Sequence, residues 1–110
     1  MDVQNLLDAA DLAEVVKSHP QVRLVAAGHV HRTAFTAFAG VPAVIAPGTS
    51  HAVALDLDPA GPPSFRLEPP GIYLHAWTPG AGFGTLVSHG IQIGSFGPPY
   101  PFFDADGRLL

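Results

Sequence analysis

The spacing of apolar residues predicts one helix followed by short strands. Across residues 6–18, apolar positions recur every three or four residues, which is the period of an amphipathic helix. His19-Pro20 ends this pattern, because the residue before a proline is pushed out of the α region. The next run, residues 22–27, predicts a strand that is apolar on both faces, as in the interior of an α/β sheet.

The rest of the chain predicts strands separated by turns. Residues 33–38 and 41–46 are joined by Ala39-Gly40, which predicts a hairpin. Four further strands are expected at residues 52–57, 64–67, 72–78 and 85–93, with a proline- and glycine-rich turn at 58–63. The aromatic-rich tail, residues 94–110, is expected to pack onto another surface. Together these elements predict an α/β fold with a mixed sheet.

Composition adds that the chain is short of charge. Its 110 residues make at most one domain or a piece of a larger one. Only 13% of them are charged, against about one quarter in an average protein. Such a chain either hides much of its surface in a partner or is a fragment of a larger protein. We therefore expect a homo-oligomer.

Charge and hydropathy also exclude several classes of function. The net charge is −4 and no lysine or arginine cluster is present, which argues against binding to a nucleic-acid polymer. No apolar run approaches the length needed to cross a bilayer, and no secretory leader pattern is visible. There is no cysteine, so disulfides are excluded. A cytoplasmic location without membrane contact is the default expectation.

Two histidines at the end of the first predicted strand are the main candidates for chemistry. His29 and His31 follow Gly28, where a missing side chain lets backbone or ligand come close. If the strand persists, residues i and i+2 point to the same side, with Cα atoms roughly 6.6 Å apart. Metal ions in two-metal hydrolytic sites lie about 3.5–4 Å apart, so each imidazole could serve a different ion. The alternative is a pair of partly buried structural histidines.

Position strengthens the metal interpretation. Ligands gather at the carboxyl ends of strands in open α/β sheets, which is where His29 and His31 fall. His51 ends the loop after another predicted strand and could reach the same edge. The competing interpretation of His51, equally open, is a turn histidine that bonds a neighbouring carbonyl.

The other candidates have simpler interpretations. His19 is expected to be an exposed helix-end residue favoured by the helix dipole. His75 and His89 are expected to be satisfied histidines on a half-buried sheet. Asp56 and Asp58 flank a turn and are expected to be exposed to water there rather than to bind metal.

The ordered motifs resemble a known family. Gly28-His29-Val30-His31-Arg32, then a hairpin, then Ala46-Pro47-Gly48-Thr49-Ser50-His51 resembles the last third of a calcineurin-like metallophosphoesterase. It is most similar to bacterial class III cyclic-nucleotide phosphodiesterases and the related glycerophosphodiesterases. The resemblance covers most of the chain.

This resemblance implies a fold and a chemistry. The fold would be part of an α/β/β/α sandwich that carries two transition-metal ions, of iron, manganese or zinc, at one edge of its sheets. His29 would bind one ion and His31 the other, while His51 would contact the substrate phosphate or donate a proton. The substrate would be a small phosphodiester, either a 3′,5′-cyclic nucleotide or a glycerophosphodiester, attacked by a metal-bound hydroxide.

Several motifs of the family are missing from this sequence. It contains no Asp-x-His, Gly-Asp or Gly-Asn-His-Asp/Glu, and its only asparagine is Asn5. The expectation is therefore the C-terminal portion of a phosphodiesterase, inactive alone. Residues 1–58 would end the catalytic domain, and residues 59–110 would form a β-rich extension for packing or oligomerisation.

Two alternatives come from other classes of function. The chain could be a non-catalytic oligomerisation or interaction module, as its low charge and aromatic tail suggest. It could also be a small mononuclear metal-binding protein that uses His29, His31 and His51.

Overall fold

A computed structural model describes residues 5–80 and 85–110. The helix α1 spans Ala9–Lys17, shorter than the predicted 6–18 but in the same place. Asp11 lies in its first turn and Lys17 in its last, the arrangement that the helix dipole favours. Val16 is the buried residue of this helix. Ala9 and Ala13 are half-buried, whereas Leu12 and Val15 are exposed.

A three-stranded mixed sheet follows the helix. It contains β1 (Val25–Ala27), β2 (Ala34–Phe38) and β3 (Val41–Ile45) in the order β1-β3-β2. β1 runs parallel to β3, and β2 runs antiparallel to it. The predicted hairpin is confirmed, with Ala39 and Gly40 in its turn at φ values of 51° and 83°. The α/β class is therefore confirmed.

The first predicted strand differs from expectation in length and place. β1 begins only at Val25, and it lies at the edge of its sheet instead of in the interior. Its residues are half-buried or exposed. The run 22–27 is apolar enough for a central strand, but among the described residues β1 has a neighbour on one side only. The prediction of an interior strand is wrong for the chain as folded here.

Two separate antiparallel pairs complete the fold. β4 (Ala52–Val53) pairs with β5 (Phe65–Arg66), so the predicted strands 52–57 and 64–67 are both reduced to two residues. β6 (Gly71–Thr78) pairs with β7 (Thr85–Gln92) over their full length and forms the β6–β7 ribbon. The tail adds one isolated bridge between Phe103 and Leu109.

Burial is sparse throughout the described residues. The buried apolar side chains there are Val16, Ala43, Val44 and Ala52. The radius of gyration is 18.6 Å, whereas a compact chain of this length has a value of about 13 Å. Most large apolar side chains are therefore available for contacts with another surface. Within the described ranges, no helix has both the length and the apolar character needed to cross a membrane.

Candidate functional site

The loops after β1 and β3 meet at one edge of the three-stranded sheet. Because the two strands are parallel, their carboxyl ends lie side by side, with Ala27 opposite Ile45. The ladder continues past β3, since the Ala46 amide donates to the Ala27 carbonyl at 3.0 Å. We call residues 28–32 and 47–51, the two loops at this place, the histidine edge. The sequence prediction that both loops reach one edge is confirmed.

His31 and His51 come into direct contact at the histidine edge. Their ring centroids lie 4.7 Å apart in an edge-to-face arrangement. The His31 Nδ1 lies 3.2 Å from the backbone carbonyl of His51, and a carbonyl only accepts, so Nδ1 carries the proton. The Phe65 ring also contacts His51 edge-to-face, with ring centroids 5.5 Å apart. His51 Nδ1 also lies 3.0 Å from the Ser50 hydroxyl, whereas the turn interpretation expected a neighbouring carbonyl as its partner.

The geometry of His29 and His31 is not that of a continued strand. β1 ends at Ala27, and the two histidines have φ values of 79° and 53°, in the left-handed region. The same-side argument from strand spacing is therefore wrong for this pair. A non-glycine residue held there costs of order 1–3 kcal/mol, and such residues cluster at functional sites. The loop instead turns sharply, with the Val30 amide donating to the Gly28 carbonyl at 3.1 Å.

The glycine that this site requires is Gly48, not Gly28. A Cβ atom on Gly48 would clash with the His51 carbonyl oxygen and would lie 2.7 Å from the His31 Cβ. Gly28 has open space around the corresponding position. The Gly48 amide donates to the His31 carbonyl at 2.8 Å, so the two loops touch through backbone here. The expected close approach exists, but it belongs to the second loop.

A cavity of about 650 Å³ opens beside the two contacting histidines. Its wall includes His31, Arg32 and His51 from the sheet side, and Tyr73 and Gln92 from the β6–β7 ribbon. The Glu68 carboxylate, which pairs with Arg32, also lines the cavity. The lining therefore combines imidazoles and an ion pair with polar and apolar groups, which suits a small polar molecule with a less polar substituent.

The imidazole nitrogens at the histidine edge fit part of a metal site. Imidazole nitrogens suit zinc, iron and other transition ions. In the described ranges, however, no group of three or more histidine, cysteine, aspartate or glutamate side chains is placed to hold a metal. Catalytic zinc sites take three protein ligands and a water. The histidine edge is therefore an incomplete ligand set, which also argues against a mononuclear site built from His29, His31 and His51.

The other predicted residues lie away from the histidine edge. His19 is exposed at the helix end, as predicted, with Nδ1 at 2.7 Å from the Val15 carbonyl. His75 and His89 are exposed rather than half-buried; His75 is satisfied by the Ser88 hydroxyl at 2.8 Å.

The two aspartates shape the turn at residues 56–60, as expected. The Asp58 amide donates to the Asp56 carboxylate, and the Ala60 amide donates to the Asp58 carboxylate, each at 2.9 Å. These side-chain to backbone contacts are those of consecutive Asx turns. Neither aspartate lines the cavity beside the histidine edge.

Sequence reasoning gave no role to Arg32 or Glu68, and it expected Tyr73 only to belong to a packing or interface face of its strand. Arg32 and Glu68 form an ion pair at 2.5 Å, although 36 positions separate them. The Tyr73 hydroxyl is buried with no partner among the described residues. The only signal for Arg32 was its place directly after the histidine motif. Nothing local marks Glu68 or Tyr73, because their neighbours come from distant parts of the chain.

Comparisons with known proteins give one clear similarity. No family model matches the chain. A curated protein of Arcobacter nitrofigilis, the probable glycerophosphodiester phosphodiesterase GpdQ, is 40% identical to it over 111 residues. The alignment takes in all of this chain and 40% of the relative, so the chain spans about two fifths of the relative's length. The chain is thus similar throughout to part of a protein named as a phosphodiesterase.

Proposed function

We propose that the chain is part of a calcineurin-like metallophosphoesterase and forms one wall of a two-metal phosphodiesterase site. The ordered histidine motifs and the similarity to a glycerophosphodiester phosphodiesterase support this together. The motifs occupy a few positions, and the 40% identity extends over the whole chain.

The observation that carries the proposal is the meeting of the two loops. His31 and His51 are 20 positions apart, yet their rings touch beside a cavity of about 650 Å³. Left-handed backbone at His29 and His31 is maintained there despite its cost. Left-handed residues other than glycine cluster at functional sites, which favours a functional interpretation of this pair.

The proposed roles divide the three histidines. His29 and His31 each bind one metal ion, and His51 contacts the phosphate or donates a proton to the leaving group. The ions would be iron, manganese or zinc, and their other ligands lie outside the described residues. When bound, such a pair supplies an activated water and neutralises charge on the phosphoryl oxygens. The chain alone is expected to be inactive.

The proposed substrate is a small phosphodiester. The name of the Arcobacter relative favours a glycerophosphodiester over a 3′,5′-cyclic nucleotide. In the cavity, the phosphate would face His31 and His51, and the substituent would face Tyr73 and Gln92 of the ribbon.

A chimera tests this function most directly. In it, the present chain replaces the segment that it matches in the Arcobacter relative. We expect manganese-dependent hydrolysis of bis(p-nitrophenyl) phosphate and of glycerophosphodiesters. His29→Ala and His31→Ala should each abolish turnover, whereas the matched control His75→Ala, on the exposed ribbon, should retain it.

Two results would contradict the proposal. One is a folded chimera, shown by circular dichroism, that has no turnover under conditions in which the intact relative is active. The other is metal-dependent turnover by the 110-residue chain alone, which would show that no further ligands are needed.

The β6–β7 ribbon favours a second candidate, an oligomerisation module in residues 59–110. Cross-strand partners share a face, so one face carries four large apolar side chains: Ile72, Leu74, Val87 and Ile91. They remain 42–55% exposed. Apolar faces of this kind favour association.

Sedimentation velocity tests this candidate and should show an oligomer. Leu74→Lys should dissociate the oligomer, whereas Gln92→Lys, on the opposite face of the ribbon, should leave it intact. A monomer at high concentration would contradict this candidate.

A further inference from the structure

Arg32 makes two side-chain contacts that bridge distant parts of the fold. Its Nε donates to the backbone carbonyl of Val53 at 2.7 Å. Its Nη2 donates to the Glu68 carboxylate at 2.5 Å. The Arg32 side chain is 23% exposed and that of Glu68 is 35% exposed, so solvent screens the pair only in part. The guanidinium thus fixes its own residue to β4 and to the segment before β6.

These contacts complete a set of bonds between β4 and the histidine loop. The Val53 amide donates to the Val30 carbonyl at 3.0 Å, and the Val53 carbonyl accepts from Arg32. Both backbone groups of Val53 are therefore used by residues on either side of His31. In a regular sheet, a backbone amide of the neighbouring strand would donate to the Val53 carbonyl. Here a side chain does so, because the loop leaves extended geometry at His29 and His31.

The left-handed backbone at His29 and His31 persists only if bonds such as those to Val53 hold it in place. His31 has a φ value of 53° and lies between the bonded residues Val30 and Arg32. Its ring orientation depends on the loop position, since Nδ1 must reach the His51 carbonyl across the edge. Backbone conformations of this kind persist only where the surrounding structure over-determines them.

We propose that Arg32 is a positioning residue, which together with Glu68 holds the left-handed histidine loop on β4 and so sets the orientation of the His31 imidazole toward His51. It acts through the backbone of Val53 and touches no reacting atom. The part that this plays in turnover rests on the proposed function of the histidines. The imidazole orientation itself can be measured without turnover.

Imidazole ¹⁵N resonances of the metal-free 110-residue chain test the proposal. At about pH 8.5, where imidazole is neutral, the tautomer of each ring can be assigned from its two nitrogen shifts. We expect His31 to be protonated at Nδ1 in the unmodified chain. Arg32→Lys keeps the positive charge but loses the planar guanidinium with its several N–H donors. The lysine therefore cannot donate to the Val53 carbonyl and the Glu68 carboxylate in the same geometry. The Nδ1–H signature of His31 should then be lost.

Two further variants sharpen the test. Glu68→Gln keeps an oxygen acceptor without the charge and should give a smaller change in the same direction. Arg66→Lys is the matched control, since Arg66 lies on β5, is exposed, and forms none of the side-chain hydrogen bonds found among the described residues. It should leave His31 and His51 unchanged, and the His19 and His75 signals should stay constant in all variants.

Two results with these variants would overturn the positioning role of Arg32. Unchanged His31 and His51 signals in folded Arg32→Lys would overturn it. Unfolding of both Arg32→Lys and Glu68→Gln, with Arg66→Lys folded, would make the ion pair a general structural element and would overturn it as well. In the chimera, Arg32→Lys should lower turnover or metal affinity by about tenfold. A chimera without turnover would contradict the proposed function, while the imidazole signals would still decide the positioning role.

Discussion

The histidine edge and the β6–β7 ribbon are ordered in opposite ways. The ribbon has the longest ladder of the described residues, with eight residues in each strand paired from Gly71 with Gln92 to Thr78 with Thr85. The histidine edge has no ladder. Its residues are instead held by single bonds to separate partners: the amide of Gly48, the amide and carbonyl of Val53, and the carbonyl of His51.

This difference shows that regular hydrogen bonding and fixed position are separate properties. The ladder sets the shape of the ribbon, but its apolar side chains stay exposed, and a two-stranded ribbon alone is at best marginally stable in water. The histidine edge has irregular backbone, yet close approach at Gly48 leaves it little room to move. We therefore expect substitutions to be costly at the edge and mild on the ribbon.

The largest effect is expected at Gly48. Gly48→Ala places a Cβ against the His51 carbonyl and the His31 Cβ, and the two loops must separate. The free energy of unfolding should fall by about 3 kcal/mol, as for other overpacked sites. Urea unfolding followed by circular dichroism measures this. The matched control, Gly28→Ala, meets open space and should change it by less than about 0.5 kcal/mol; equal effects would break the comparison.

The next effect compares a valine of the sheet with one of the ribbon. Val44 in β3 is 6% exposed, whereas Val87 in β7 is 47% exposed. Val44→Ala should lower the free energy of unfolding by about 2 kcal/mol, because it removes buried methyl groups and leaves a cavity. Val87→Ala should cost less than about 1 kcal/mol. A larger cost for Val87, in the same urea experiment, would show that the ribbon face is covered in solution.

A smaller effect, a gain in the free energy of unfolding, is expected at Tyr73, where the ribbon approaches the histidine edge. Its hydroxyl is buried without a partner among the described residues, while its ring contacts Phe35 and His75. Tyr73→Phe keeps those ring contacts and should raise the free energy of unfolding by about 1 kcal/mol. Tyr100→Phe, at a residue that is 75% exposed, is the control and should have no effect. A loss of stability in Tyr73→Phe would mean that the hydroxyl has a partner in solution.

The smallest effect is expected for the exposed pair of His75 and Ser88. These residues are direct cross-strand partners, and their side chains are 2.8 Å apart. Ser88→Ala should lower the free energy of unfolding by about 0.5 kcal/mol, which is typical of such a pair in water. The same urea experiment measures this. A loss of more than about 1.5 kcal/mol would show that the pair is shielded from water in solution.

Local sequence patterns were sufficient for much of the fold. The helix, the hairpin through Ala39-Gly40 and the two ribbon strands all follow from short-range periodicity and turn chemistry. Strand ends were less predictable. The predicted strand at residues 52–57 keeps only Ala52–Val53, because among the described residues the pairing partner β5 is itself two residues long.

The sequence by itself determined that three histidines follow the ends of strands. The histidine motifs and the Pro-Gly-Thr loop are sufficient to assign His29, His31 and His51 to the ends of strands. Spacing could not give their geometry, because it assumed an extended strand where the backbone is left-handed.

Only the tertiary structure decided how the site is held together. Gly48 meets His31, and Arg32 meets Val53 and Glu68, through contacts between residues 17 to 36 positions apart. The physical reason is that a hydrogen bond or a steric contact depends on distance in space. Local sequence reports this distance only when the partners lie within one helix, strand or turn.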